Sequence, residues 1–201
     1  MKIHGDVISP FTRMCLVAAH ELGLKGKVAL VMGHAKANEV NPALEKLSPL
    51  GKIPILETDH GHAIHDSRVI MEYLAHVAGA RHFIPDDGVA RFRVLTTLAT
   101  AQGMADAAVA LRYETAFRPE AHRWPAFADR LRARIRASVA DIEAHVDSLK
   151  DINAATIAVA CTLAYVDFRH AALNWREGNP KTAAFALAFN DRESMRDWPL
   201  G

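Results

Sequence analysis

Every stretch of this chain that reads as a β-strand lies before residue 66, and everything after residue 88 reads as helix. That asymmetry confines the fold to a small sheet followed by an all-helical part. "KIHGDV" is a short strand. Residues 10–22 carry Phe11, Met14, Cys15, Ala18 and Leu22 at helical spacing, and Gly23 stands where a left-handed residue ends the helix. "KVALVM" is a near-continuous apolar run of strand length, the pattern of a strand covered on both faces. Residues 38–47 form a short helix or turn interrupted by Pro42. "IPILET" and "HAIH" flank "DHG", a hairpin turn. Asp66 opens "DSRVIMEYLAHVAG", with Val69, Ile70, Tyr73, Leu74 and Val77 on one face and Gly79 at its end. The expected order is βαβαββα: a parallel pair joined by a right-handed crossover, with an antiparallel hairpin edge.

"IPDDG" at 84–88 marks the change of grammar, so residues 1–79 and 89–201 are read as two domains joined by a linker over 80–88. Residues 90–113 form a long helix. Residues 124–149 repeat Leu131, Ile135, Val139, Ile142, Val146 and Leu149 as a core-facing stripe. Residues 157–168 are apolar nearly all round, as in a helix at the centre of its domain. Asn153 is its N-cap, and Ile152 and Ile157 have the spacing of a hydrophobic staple. A last short helix begins near Pro180.

Charge and cysteine content narrow the function. The net charge is +1, which selects neither nucleic acid nor an anionic membrane. Arginines 130, 132, 134 and 136 step by two, which scatters them around a helix among acids instead of forming a phosphate-binding face. No apolar stretch of membrane-spanning length or leader is read, so the expectation is a soluble cytoplasmic protein. Cys15 and Cys161 are far apart and form neither a disulfide framework nor a zinc ribbon. His60 and His62 flank the hairpin turn without a third ligand at metal spacing, so no metal is expected.

Three places remain that suit chemistry. Ser9–Pro10 is an N-cap/N1 pair. Capping alone accounts for it, yet the same hydroxyl, beside the unpaired first-turn amides, suits a thiolate as its hydrogen-bond partner. Pro54 interrupts a strand, which suits an edge, a strand start or a cis bond that frees the N–H and C=O of Ile53. Asp66–Ser67 opens a helix whose first-turn amides suit a carboxylate, with Asp66 available to the neighbouring ammonium. An α-amino-acid end group needs both.

"SPFTR", "PLGKIPIL" and "HDSRVIMEYL", in this order, resemble the N-terminal domain of cytosolic glutathione transferases, and "NAATIAVACTLAYVDFRH" resembles the buried helix of their C-terminal domain. The resemblance spans essentially the whole chain and is nearest to a bacterial, serine-type branch. It implies a thioredoxin-like first domain with a cis Pro54, followed by an all-α domain. It implies glutathione as co-substrate, held by Ser9, Phe11, Lys52, Ile53, Pro54, Asp66 and Ser67, with Ser9 facing the sulfur. It also implies a homodimer and a small electrophile as second substrate, for which Asp106, Arg112, Tyr113 and Trp175 are candidates in the helical half. Non-catalytic binding, or glutathione-dependent isomerisation or reduction, are the rival activities. Two departures stand out: Thr156 replaces the usual acid of the helix-152 capping box, and Met14 replaces a basic residue after "SPFTR".

Overall fold

The structure, a computed structural model, describes residues 1–36 and 38–200. Its elements follow the expected order: β1 (Lys2–Gly5), α1 (Pro10–Glu21), β2 (Ala29–Met32), α2 (Pro42–Leu47), β3 (Ile55–Glu57), β4 (Ala63–Ile64) and α3 (Ser67–Ala78). The helical half comprises α4 (Gly88–Arg112), α5 (Pro125–His145), α6 (Ala154–His170), α7 (Pro180–Asn190) and the short α8 (Glu193–Arg196), which periodicity did not disclose. The sheet order is β2-β1-β3-β4, with β1–β2 parallel and the other pairs antiparallel.

Four expectations need correction. β2 is an outer strand with Ala29, Val31 and Met32 exposed, so its apolar run does not mark burial on both faces. Pro42 does not interrupt a helix but starts one, behind the N-cap Asn41, since a missing N–H costs nothing at N1. The buried side of α3 is Ile70, Met71, Leu74 and Ala75; Val69 and Val77 are exposed on another side. Residues 88–117 are also long and apolar enough to cross a membrane by length and composition, which the sequence reading passed over. In the fold, Leu98, Ala101, Ala105 and Ala108 of this stretch join the common core.

That core runs unbroken from Ile3 through α1 to α6. Thr12 to Ala19 are all buried, so α1 is the layer between the sheet and the helical half. β1 approaches it closely: a Cβ on Gly5 would lie 2.5 Å from Thr12 Oγ1, so only glycine fits there. Ala154 to Val166 of α6 are likewise buried, as the all-round apolar pattern predicts. Asn153 Oδ1 accepts from the amides of Ala155 and Thr156 at 2.9 and 3.0 Å. Thr156 does not leave the cap open. Its hydroxyl donates to the Asp151 carbonyl at 2.7 Å, closing the turn from the other direction.

The C-terminal segment folds back on α1. Buried Arg13 donates from Nε to the Trp198 carbonyl (2.9 Å) and from Nη2 to the Met195 carbonyl (3.1 Å). Glu21 accepts from Arg192 at 2.7 and 2.8 Å and from the Ser194 hydroxyl at 2.5 Å.

Candidate functional site

The loop between β1 and α1 is fixed by one side chain that the sequence reading passed over. The carbonyl of Asp6 accepts the Ser9 N–H at 2.9 Å, and its Oδ1 accepts the Ile8 N–H at 2.9 Å, an Asx-type turn. The other carboxylate oxygen lies 2.8 Å from His34 Nδ1. Ser9 therefore enters the helix on a rigid support. It is half-buried, and its Oγ accepts the Thr12 N–H at 3.4 Å, a long cap bond. One lone pair is used, so the hydroxyl proton remains free to donate, and no described residue takes it. Pro10 has no N–H, and the Phe11 N–H has no partner among the described residues. The helix mouth thus offers one hydroxyl and one amide.

The Ile53–Pro54 bond is cis. Ile55 pairs with His4 at the end of the β1–β3 ladder, so Ile53 continues that edge toward the loop that carries Ser9. Its N–H and C=O make no hydrogen bond with any described residue. One extended peptide edge is left open beside the helix mouth.

At the head of α3, Asp66 caps the helix, accepting the Arg68 N–H at 3.0 Å, and pairs with the Arg68 guanidinium at 3.0 Å. Burial acts to raise the Asp66 carboxyl, but the Arg68 bonds outweigh it and hold it below the usual carboxylate range. Ser67 is buried, and its Oγ accepts from Gln102 Nε2 of α4 at 3.0 Å. Neither Gln102 nor Arg68 was singled out from the sequence, since nothing local spells their pairings. Asp106 also belongs here, about two helical turns before Tyr113. Burial raises its carboxyl, Lys52 and Arg68 oppose that, and Asp66 adds to it. Asp106 and exposed Lys52 therefore gather with Asp66 and Arg68, apart from the other second-substrate candidates.

Those candidates, Arg112 and Tyr113, stand at the far end of α4. The Tyr113 hydroxyl donates to the Ala35 carbonyl at 3.3 Å, next to His34 and so to the Asp6 loop. Trp175 is not with them. It is buried, donates to Asp167 at 2.6 Å and has Arg176 against its ring, so it is a packing residue.

Both cysteines are fully buried, and burial pushes both thiols up, Cys161 to about 12. Neither supplies a thiolate near neutral pH. His60 and His62 are exposed turn residues. One histidine–acid group, His20 with Glu193 and Asp197, brings its ligand atoms within 4.8 Å of one another. Lys25 Nζ already lies 2.5 Å from Asp197 and 3.4 Å from Glu193, so the cation of that group is a lysine.

The family model for the glutathione S-transferase N-terminal domain matches residues 8–77. The uncharacterized GST-like protein YibF of Escherichia coli (strain K12) is 31% identical over 199 residues, 97% of this chain and 96% of the relative. A glutathione transferase family member from Pseudomonas fluorescens Pf-5, solved with bound glutathione, superposes with a TM-score of 0.96 at 38% identity, covering 100% of this chain and 98% of that one. The Pf-5 structure with bound S-(propanoic acid)-glutathione gives 0.89 at 38% identity, over 98% and 97% of the two chains.

Proposed function

The chain belongs to the glutathione S-transferase family, and from that premise we propose that it binds glutathione and activates its thiol for attack on a small electrophile. The open peptide edge of Ile53, level with the Ser9 loop and short of the α3 head, is the observation that carries this reading. An extended tripeptide pairs its cysteinyl N–H and C=O with Ile53 beside Pro54, as an added strand would. Its γ-glutamyl carboxylate meets the Ser67 hydroxyl and the first-turn amides of α3. Its ammonium is taken by Asp66, with Asp106 near enough to act on the same charge. Lys52 supplies a cation for the remaining carboxylate.

The sulfur then lies at the mouth of α1. The thiol loses its proton to solvent, and the thiolate accepts from the Ser9 hydroxyl and the Phe11 amide at the positive end of the helix. Holding the anion beside a bound electrophile turns a bimolecular attack into a local one. The second substrate sits above Ser9, toward Arg112 and Tyr113. Thiol–disulfide chemistry by the chain's own cysteines is disfavoured, since both are buried and protonated. The same reading includes a cytoplasmic setting, where glutathione is kept reduced. It includes a homodimer through the exposed apolar side of α3 and the start of α4, where Val69, Val77, Val89 and Phe92 are uncovered.

Calorimetric titration with glutathione tests the binding step. Saturable heat at millimolar glutathione or below is expected; none would sink the reading. Binding without turnover on a panel of electrophiles would leave a non-catalytic glutathione-binding module.

A further inference from the structure

Above the Ser9 loop the helical half presents positive charge without a matching acid. The hydrogen bonds Thr162 Oγ1 to the Ala101 carbonyl (3.3 Å) and His170 Nε2 to the Ala108 carbonyl (2.8 Å) set α4 and α6 side by side in the same direction. Their C-terminal ends therefore lie together. Tyr113 ties that end to Ala35, and His34 ties the same loop to Asp6, which holds the Ser9 N–H. α6 reaches the same level: Tyr165 is one turn beyond Cys161, which lies close enough to Arg13 to feel its charge, and Arg13 is one turn beyond Ser9.

At this end two guanidiniums are held by aromatic rings. Arg112 lies 5.4 Å from the centre of the Phe117 ring, which is itself tilted at 42° against the Tyr113 ring, centres 5.3 Å apart. Arg169 lies 4.1 Å from the centre of the Phe168 ring. Among the described residues neither guanidinium pairs with a carboxylate or donates a side-chain hydrogen bond. The local acids are already engaged: Glu114 with Arg118 (2.7 Å) and the Trp124 N–H (2.6 Å), Asp167 with Trp175 and Arg176. Both arginines act on Tyr165. Burial raises its phenol, and Arg169 and Arg112 oppose the rise. The Tyr165 hydroxyl has no hydrogen-bond partner among the described residues.

We propose that Arg112 and Arg169 select an electrophile that carries a carboxylate, an α,β-unsaturated acid being the simplest class. This rests on the glutathione-binding reading above and names the substrate class of the same site. In the addition the thiolate sulfur forms a bond to the carbon β to the carboxylate. The C=C π pair moves to the α carbon and takes a proton from water, so no further reactant is needed. As the π pair moves, negative charge spreads onto the carboxylate. Two guanidiniums at that group therefore stabilise the transition state more than the ground state. A free carboxylate otherwise deactivates such an alkene, and neutralising it removes the handicap.

Calorimetry with three ligands separates the outcomes: glutathione, S-carboxyethyl-glutathione and the uncharged S-carbamoylethyl-glutathione. The native chain is expected to bind the carboxyl adduct about tenfold to a hundredfold more tightly than the amide adduct, the range of one to two charge-assisted hydrogen bonds. In Arg112→Gln and Arg169→Gln the ratio falls toward unity. Glutathione itself, which has nothing at that position, binds native chain and variants alike. Equal affinity of the native chain for both adducts, with glutathione binding intact, overturns this proposal alone. Failure of glutathione to bind overturns the underlying reading and this one with it. Circular dichroism of each variant confirms that it is folded.

Discussion

The side-chain amide of Gln102 donates to the hydroxyl of Ser67 at 3.0 Å across the junction of α4 and α3, and both residues are buried. The bond fills a lone pair of the serine oxygen and leaves its proton to donate elsewhere. Gln102 therefore aims the Ser67 hydroxyl toward whatever carboxylate approaches the head of α3. Gln102→Leu removes that aim and leaves no buried amide behind. Glutathione affinity should fall by about threefold to tenfold, with a stability loss of about 1 kcal/mol. Titration calorimetry reads the first and urea unfolding the second. An unchanged affinity would make the contact purely structural.

Ser9→Ala separates the two tasks of its hydroxyl. The cap bond is long, 3.4 Å, so its loss belongs at the low end of the range for N-caps, about 0.5–1 kcal/mol. The larger effect should fall on the bound sulfur. Loss of a charge-assisted donor raises the pKa of bound glutathione's thiol by about one to two units. Thiolate absorbance against pH, with glutathione saturating, measures it. A superimposable curve would leave Ser9 as a cap alone.

Local chemistry was legible and long-range pairing was not. Ser9–Pro10, Asp66, Asn153 and Pro180 announce helix starts through short-range hydrogen bonding and ring geometry, and each stands where it was expected. The apolar run at β2 misled because hydrophobicity alone does not tell an outer strand from an inner one; only the pairing order does. The α3 face was misjudged because Val69 and Val77 are apolar yet uncovered in this chain. Gln102 to Ser67, Tyr113 to Ala35 and Arg13 to the C-terminal segment join residues far apart in sequence and have no local spelling. Asp6 could have been found: an Asp three residues before a Ser–Pro helix start is an Asx-turn signal.

Acid should loosen the C-terminal segment first. Hydrogen bonds from Arg192 hold the Glu21 carboxyl below its usual range against the opposing effect of burial, with Ser194 adding to the depression. A depressed carboxylate contributes stability above its unfolded pKa and loses that contribution as pH falls through the folded value. Between about pH 5 and pH 3 the native melting temperature should therefore fall more steeply than that of Glu21→Gln. Thermal unfolding monitored by circular dichroism across that range compares the slopes. Parallel slopes would mean that the Glu21 contacts do not persist in solution.

Arg13 is where the C-terminal segment and the helix that carries Ser9 are joined. Its guanidinium is buried, and it donates to two main-chain carbonyls, Met195 and Trp198, three residues apart. Burial lowers its pKa, with the Cys161 sulfur opposing, so those two acceptors are what compensate the buried charge. A planar fork reaches both at once, whereas an ammonium on a single stem does not. Arg13→Lys should therefore destabilise almost as much as Arg13→Met, and Arg13→Met should cost about 2–4 kcal/mol from lost charge-assisted bonds and packing. Urea unfolding gives the two values. Limited proteolysis should show residues 191–200 cleaved earlier in both variants, because the segment then loses two ties to α1 and keeps its polar contacts to His20, Glu21 and Lys25. If lysine restores native stability, the site needs only a positive charge, and the two-carbonyl geometry has no part in holding the segment.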